Sequence, residues 1–326
     1  MKKNIFWFLA GAITVFIIFI SFIVFNNLKK ENLPDSQQLA NAYTELDRVL
    51  YIRAVSRFKN GDVKNSLEDM KTCESIRKLI HSKNEPYLKD KDEAVDCLTR
   101  LNDLNEKIKQ NPNNYKLYYE RANLKNKPTV SMFENDEQSF CSDFKSAVKD
   151  YSKVIELKPD LKEAYEKRAD AIGMSINGIS YNTSEKDKFD KLLKEKFHQM
   201  ISDYEKAIEL NGTSTQIGLK LAGAYFSDGQ YEKALKTYDK YPQGDDFGYV
   251  HYYGKALCYY ELKNYKKVIE NLDLFIEYNP KLCKKITGKC LPSRNGEKTY
   301  YHLRAKANWK LHKYSEWFKD IKKGRF

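Results

Sequence analysis

Apolar positions follow two different regimes along this chain. From Ile5 to Phe25 the sequence runs without a charge, interrupted only by Thr14 and Ser21. As a helix rising ~1.5 Å per residue, such a run is ~31 Å long, the thickness of a bilayer's hydrocarbon core. Beyond residue 39 apolar residues instead recur at i, i+3 and i+4 between charged ones, the period of amphipathic helices. The pattern predicts a basic N-terminus at 1–4, a transmembrane anchor at 5–25, a linker at 26–38 and a helical body over 39–326.

A removable signal would have an apolar stretch of only ~7–15 residues ending in a small-x-small site. Val24-Phe25-Asn26-Asn27 offers none, so the anchor is expected to stay. No second stretch of comparable hydrophobicity exists, which predicts a single-pass protein. Lys2 and Lys3 nearly balance Lys29 and Lys30 across the span. The short basic N-terminus tips the expectation toward an exported, extracytoplasmic body.

Within the body, Asp150-Tyr151-Ser152-Lys153-Val154-Ile155-Glu156-Leu157 recurs as Asp203-Tyr204-Glu205-Lys206-Ala207-Ile208-Glu209-Leu210, and each stretch stops at a helix breaker, Pro159 or Gly212. A second motif places an alanine four residues after, in most copies, a large residue: Leu50…Ala54, Tyr118…Ala122, Tyr165…Ala169, Gly218…Ala222, Tyr252…Ala256 and Tyr301…Ala305. Arg53, Arg121, Arg168 and Arg304 directly precede four of these alanines. The step from Ala54 to Ala122 is twice that from Ala222 to Ala256. Alanine at a helix crossing lets two backbones approach, and the large residue fills the space beside it. One such unit cannot bury its apolar face alone, so units must stack.

These segments resemble tetratricopeptide (TPR) repeats, helix–turn–helix units of about 34 residues, and the step from Ala222 to Ala256 is one such unit. The fullest match runs from Leu221-Ala222 through Tyr225-Phe226, Gly229, Tyr231 and Ala234 to Tyr238. The resemblance implies an all-α, right-handed, TPR-like superhelical solenoid of about six helix pairs. It also implies a non-catalytic scaffold that binds proteins or peptides, although the family is united by architecture rather than chemistry.

Departures from the period locate insertions. The steps from Ala122 to Ala169 and from Ala169 to Ala222 exceed one unit by roughly 13 and 19 positions. They predict extra segments near 127–142 and 176–194, each between the two helices of its unit. A third, near 281–297, falls between units. Residues 39–112 form a degenerate first part and 113–326 the clearer repeats. Ala94, Val95, Leu98, Leu101, Leu104 and Ile108 mark one continuous helix without a small crossing residue, read as part of an elongated hairpin.

Charge adds little. The whole chain carries +12, from 57 basic and 45 acidic side chains, and four of the lysines lie before residue 31. The remaining balance suits a mixed-charge helical surface and an acidic protein partner. The basic stretches Lys281–Lys289 and Lys319–Arg325 do not interleave aromatics with base-reading residues, so no nucleic acid is expected. The five histidines are scattered, no metal or phosphate motif occurs, and neither cofactor nor small-molecule substrate is expected. An enzyme would have its only foothold in the long insertions.

Cysteines offer two candidate disulfides. Cys73 and Cys97 lie equally far from Glu85 in the turn Asn84-Glu85-Pro86, and antiparallel helices would bring them level. Cys283 and Cys290 close a short loop. The alternative for Cys73, and the reading for Cys258, is a buried thiol on an apolar helix face. The candidate peptide groove on the first helices comprises Phe226, Tyr253, Tyr260, His302, Lys306, Trp309 and Lys310, aromatic area flanked by cations. The lysine–asparagine chaperone clamp of some family members is not reproduced by Tyr51, Val55, Tyr119, Asn123, Glu163 and Lys167. An alternative is an assembly subunit that contacts partners through the inserted loops.

Overall fold

The computed structural model describes residues 36–80, 87–127, 142–177, 186–210, 214–241, 248–287 and 294–324. Thirteen helices, and no strand, occur among them. They are α1 (Ser36–Lys59), α2 (Val63–Ile80), α3 (Tyr87–Gln110), α4 (Tyr115–Lys125), α5 (Phe144–Leu157), α6 (Lys162–Asn177), α7 (Lys186–Glu209), α8 (Thr215–Ser227), α9 (Tyr231–Lys240), α10 (Gly248–Glu261), α11 (Tyr265–Thr287), α12 (Arg294–Lys310) and α13 (Tyr314–Lys323). The expected anchor at 5–25 lies outside the described residues. No described helix is long and apolar enough to cross a membrane.

The chain divides into two compact units, Met1–Asp103 and Leu104–Phe326. In the first, α1 and α2 pair around Leu50, Cys73 and Ile76. α3 is the continuous helix its spacing predicts, burying Ala94, Leu98, Leu101, Leu104 and Ile108. In the second unit each helix from α4 to α13 packs on its neighbours in sequence, and α8 also meets α10. This nearest-neighbour pattern is that of a helical array built from hairpins.

Six hairpins share one register: α1–α2, α4–α5, α6–α7, α8–α9, α10–α11 and α12–α13. Ala54, Ala122, Ala169, Ala222 and Ala256 are fully buried, and Ala305 is 1% exposed. In the first hairpin the crossing is tight enough for the Ser66 hydroxyl to donate to the Ala54 carbonyl at 2.8 Å. The corresponding Ala147 and Ala234 are fully buried.

Four hairpins turn identically. Gly61, Gly229, Lys263 and His312 take left-handed φ values of 82°, 76°, 58° and 58°. In each turn the next amide donates back to the carbonyl five residues earlier: Asp62 to Arg57, Gln230 to Tyr225, Asn264 to Tyr259 and Lys313 to Asn308, at 2.8–2.9 Å. This is the six-to-one bond that closes a helix C-terminus. Lys263 and His312 adopt a backbone that glycine would take without steric cost.

The arginines before the alanines find buried aspartates on the second helix. Arg53 grips Asp69 (Nε–Oδ2 2.9 Å, Nη2–Oδ1 2.5 Å), and Arg121 grips Asp150 with the same two distances. Arg168 binds Asp203 at 2.8 and 2.6 Å. Arg304 binds Asp320, which Asn308 also reaches at 3.0 Å. Two-pronged contacts of this kind are the strong form of the ion pair. Several cations also reach back to the preceding helix: Arg121 to Asn105, Arg168 to Ser152, Lys255 to Asp239 and Arg304 to Asp273. These rungs therefore tie a hairpin internally and to the helix before it.

Partner separation measures the insertions. Arg53 and Asp69 are 16 residues apart, as are Arg304 and Asp320; Arg121–Asp150 is 29 and Arg168–Asp203 is 35. The excesses equal the two insertion lengths that the alanine spacing predicts. At the first insertion the ends are pinned, with Ser142 Oγ donating to the Lys127 carbonyl at 2.7 Å and the Asp143 amide to that of Lys125 at 3.0 Å.

Three boundaries differ from expectation. α1 starts at Ser36, inside the predicted linker. Of the insertion at 176–194, residues 186–194 belong to α7, because Phe189, Leu193 and Phe197 continue its apolar stripe at helical spacing. At 281–297, α11 runs on to Thr287 and α12 begins at Arg294.

The expected Cys73–Cys97 bridge is not formed. Cys73 is a fully buried thiol outside any disulfide that donates to the Asp47 carbonyl at 3.5 Å, because this face of α2 packs against α1. Cys97 is disulfide-bonded. The expected Cys283–Cys290 bridge falls outside the described side chains. Cys258 is a buried free thiol, as its apolar face predicts, and burial pushes its pKa up to about 12.

Candidate functional site

The first helices of the second unit repeat a pair of outward positions, three residues before and one after the crossing alanine. They read Tyr119 and Asn123 on α4, Glu166 and Asp170 on α6, Leu219 and Gly223 on α8, Tyr253 and Leu257 on α10, and His302 and Lys306 on α12. Only Leu219 is buried among them. Such positions recur because the alanine fixes which side of the helix is buried and the 3.6 period carries these two away from it.

On α4 and α6 the face is a polar network. The Tyr151 hydroxyl, rising from α5, donates to Asn123 Oδ1 at 2.8 Å, and the Tyr119 and Tyr151 rings meet edge-on at 6.0 Å. Tyr204 of α7 donates to Asp170 Oδ1 at 2.8 Å. Lys220 of α8 reaches back to Asp170 at 2.8 Å and to Glu166 at 2.9 Å. Burial alone would lower the Lys220 pKa, but its hydrogen bonds to the two carboxylates raise it. Burial raises Tyr151 and Tyr204, and Asp170 adds to the rise at Tyr204, so both stay protonated donors. Two carboxylates against one ammonium leave this end net negative.

At α8 the face opens. A Cβ built on Gly223 would meet nothing within 4 Å. By contrast, one on Gly254 in α10 would overlap the Tyr238 hydroxyl, so that glycine exists to admit the tyrosine. Toward α12 the face turns basic, with His302, Lys306 and Lys310 exposed.

The seven sequence-predicted groove residues are distributed over three settings. Tyr253 is half-buried against Phe275, ring centroids 5.7 Å apart. Phe226, Tyr260 and Trp309 each close the corner of their own hairpin, against Tyr231 (5.6 Å), Tyr265 (5.8 Å) and Tyr314 (5.1 Å). His302, Lys306 and Lys310 stay exposed on α12, His302 lying beside Gly324. The network of Glu166, Asp170, Tyr204 and Lys220 was not read from the sequence. Its members lie up to 54 residues apart, and only the stacking of α6, α7 and α8 joins them.

His251 is 6% exposed between the rings of Tyr238 and Tyr252, its Nδ1 without a partner among the described residues. Burial, with Lys255 nearby, lowers its pKa. No group of three metal-ligating side chains occurs among the described residues.

No family model and no curated protein matches the chain. Among solved structures it is similar to YrrB, described as a TPR protein with an unusual peptide-binding site, at 13% identity, covering 68% of this chain and 90% of that one with a TM-score of 0.45. MamA protein is similar at 15% identity over 76% of this chain and 100% of that one, TM-score 0.42. A tetratricopeptide repeat protein from Parabacteroides merdae is similar at 16% identity over 86% and 92%, TM-score 0.39.

Proposed function

We propose that this chain is a non-catalytic TPR-like scaffold, tethered to a membrane by residues 5–25, that holds a protein or peptide segment along the accessible face of its first helices. The observation that carries the reading is the polarity of that face. It is acidic at Glu166 and Asp170, open at Gly223, and basic at His302 and Lys306. An extended segment with cations toward α6 and carboxylates toward α12 fits it, a finer match than an acidic partner alone. Inert groups support a binding role over a catalytic one: the Cys258 thiol is raised to about 12, and the buried tyrosines are held protonated. The Cys97 disulfide supports placing the body in an oxidising compartment outside the cytoplasm.

A photo-crosslinking residue at Gly223 tests this, since it projects into open space without disturbing packing. A crosslinked polypeptide partner is expected, and its loss on adding Lys220→Glu would place the contact on this face. The competing reading, contact through an insertion, is favoured by one feature. At the start of α7, Leu192 is 39% exposed, with Phe189 and Leu193 half-exposed beside it. Crosslinks from position 191 and none from 223 would establish that reading instead.

A further inference from the structure

We propose that the aromatic corner of α12–α13 docks on an anionic bilayer surface. Trp309, Tyr314 and Phe318 are 50%, 51% and 52% exposed. With half-buried Trp317 they form a continuous ring cluster, with centroids 5.1 Å apart for Trp309–Tyr314 and Trp309–Trp317, and 6.5 Å for Trp317–Phe318.

The hairpin register makes this exposure anomalous. At Phe318's place the earlier hairpins carry Leu67, Val148, Ile201, Leu235 and Ile269, all buried or half-buried. At Trp309's place Phe226 and Tyr260 are half-buried. The last described hairpin therefore displays what the others cover.

Charge selects the occupant. Lys310, Lys313, Lys319, Lys322 and Lys323 are all exposed around the rings, and the Lys322 ammonium lies 5.0 Å from the Phe318 centroid. Of the two carboxylates in this stretch, Asp320 is buried and consumed by Arg304 and Asn308, leaving Glu316. Two copies meeting through this corner would set five lysines against five. Anionic headgroups complement them, while tryptophan and tyrosine rings sit at headgroup depth and lysine stems snorkel outward. The docking chemistry does not depend on the groove reading, and the two tests fail separately.

Full-length chain bearing Trp7→Phe, reconstituted in vesicles, leaves Trp309 and Trp317 as the only tryptophans. Vesicles of phosphatidylglycerol with brominated phosphatidylcholine should quench them and shield them from acrylamide. Vesicles of brominated phosphatidylcholine alone should do neither. Each lysine near an anionic surface is worth roughly a five-fold factor in binding, so Lys319→Gln with Lys322→Gln should weaken docking about 25-fold, and high salt should mimic it. Circular dichroism checks that the double variant stays helical; if it does not, the salt series on the parent chain decides. Equal quenching on neutral and anionic vesicles, shielding that follows protein concentration rather than lipid, or shielding by polyglutamate without bromolipid quenching would each overturn the proposal.

Discussion

Hairpins α6–α7 and α8–α9 solve the same packing problem with opposite chemistry. In α6–α7 the position before the crossing alanine is Arg168, whose guanidinium holds buried Asp203. In α8–α9 the same two positions are Leu221, buried, and Thr237, whose hydroxyl is satisfied by the Lys233 carbonyl of its own helix. α10–α11 is intermediate: Lys255 turns to Asp239 of the preceding helix, while Asn271 bonds the Lys267 carbonyl. Where Leu221 offers Glu205 no cation, the Tyr225 hydroxyl donates to it. The core around α8 is correspondingly the largest apolar cluster described, reaching from Ala169 to Cys258. The fold thus requires a filled and satisfied rung, not a charged one. At Asp203 burial raises the pKa against the opposing pull of Arg168, so the ionised pair is held there at a desolvation cost.

The strongest way to break this comparison is Arg168→Ala. It strands a carboxylate whose side chain is only 3% exposed and should cost about 3–5 kcal/mol in urea unfolding. Leu221→Ala would lose a comparable amount by a different route, through a cavity. Next, Gly254→Ala drives a methyl into the Tyr238 hydroxyl and should cost about 1–3 kcal/mol, recovered in part by Tyr238→Phe.

A smaller effect is expected from His251→Phe. The native pKa of His251 is depressed, so the unfolded chain binds the proton more readily. Its stabilising contribution is present above about pH 6.5 and is lost as pH falls toward the native value. Melting temperatures at about pH 7.5 and pH 5.5 should converge in the variant relative to the parent. The smallest change is expected from the double substitution Arg168→Leu with Asp203→Thr, which installs the α8–α9 solution in α6–α7. Stability within about 1 kcal/mol of the parent would sustain the comparison, whereas a loss as large as that of Arg168→Ala would end it.

What the sequence made legible follows from how local each signal is. The alanine period and both insertion lengths could be counted because each hairpin repeats its own crossing. Arg53, Arg121, Arg168 and Arg304 stood out for the same reason, but their aspartates did not, since insertions of different length shift the partner. Lys263 and His312 carry no residue-type signal for their left-handed turns, whereas the glycines at the equivalent turns, Gly61 and Gly229, do. Phe226, Tyr260 and Trp309 shared a helix face with the groove, and only the ring positions reveal that they close hairpin corners. Cys73 and Cys97 looked level across a turn, yet levelness in sequence says nothing of which neighbour a helix chooses.

The unequal Arg–Asp separations have a consequence for how this chain tolerates change. Lengthening the loop between partners from 16 to 29 or 35 residues costs only about 0.5 or 0.7 kcal/mol of closure entropy, since that cost grows with the logarithm of length. One two-pronged pair outweighs it. The rungs act as clamps that do not sense what is threaded between them, and the neck at Lys127 and Ser142 is such a port. Foreign segments placed beyond that neck should leave the array's register untouched.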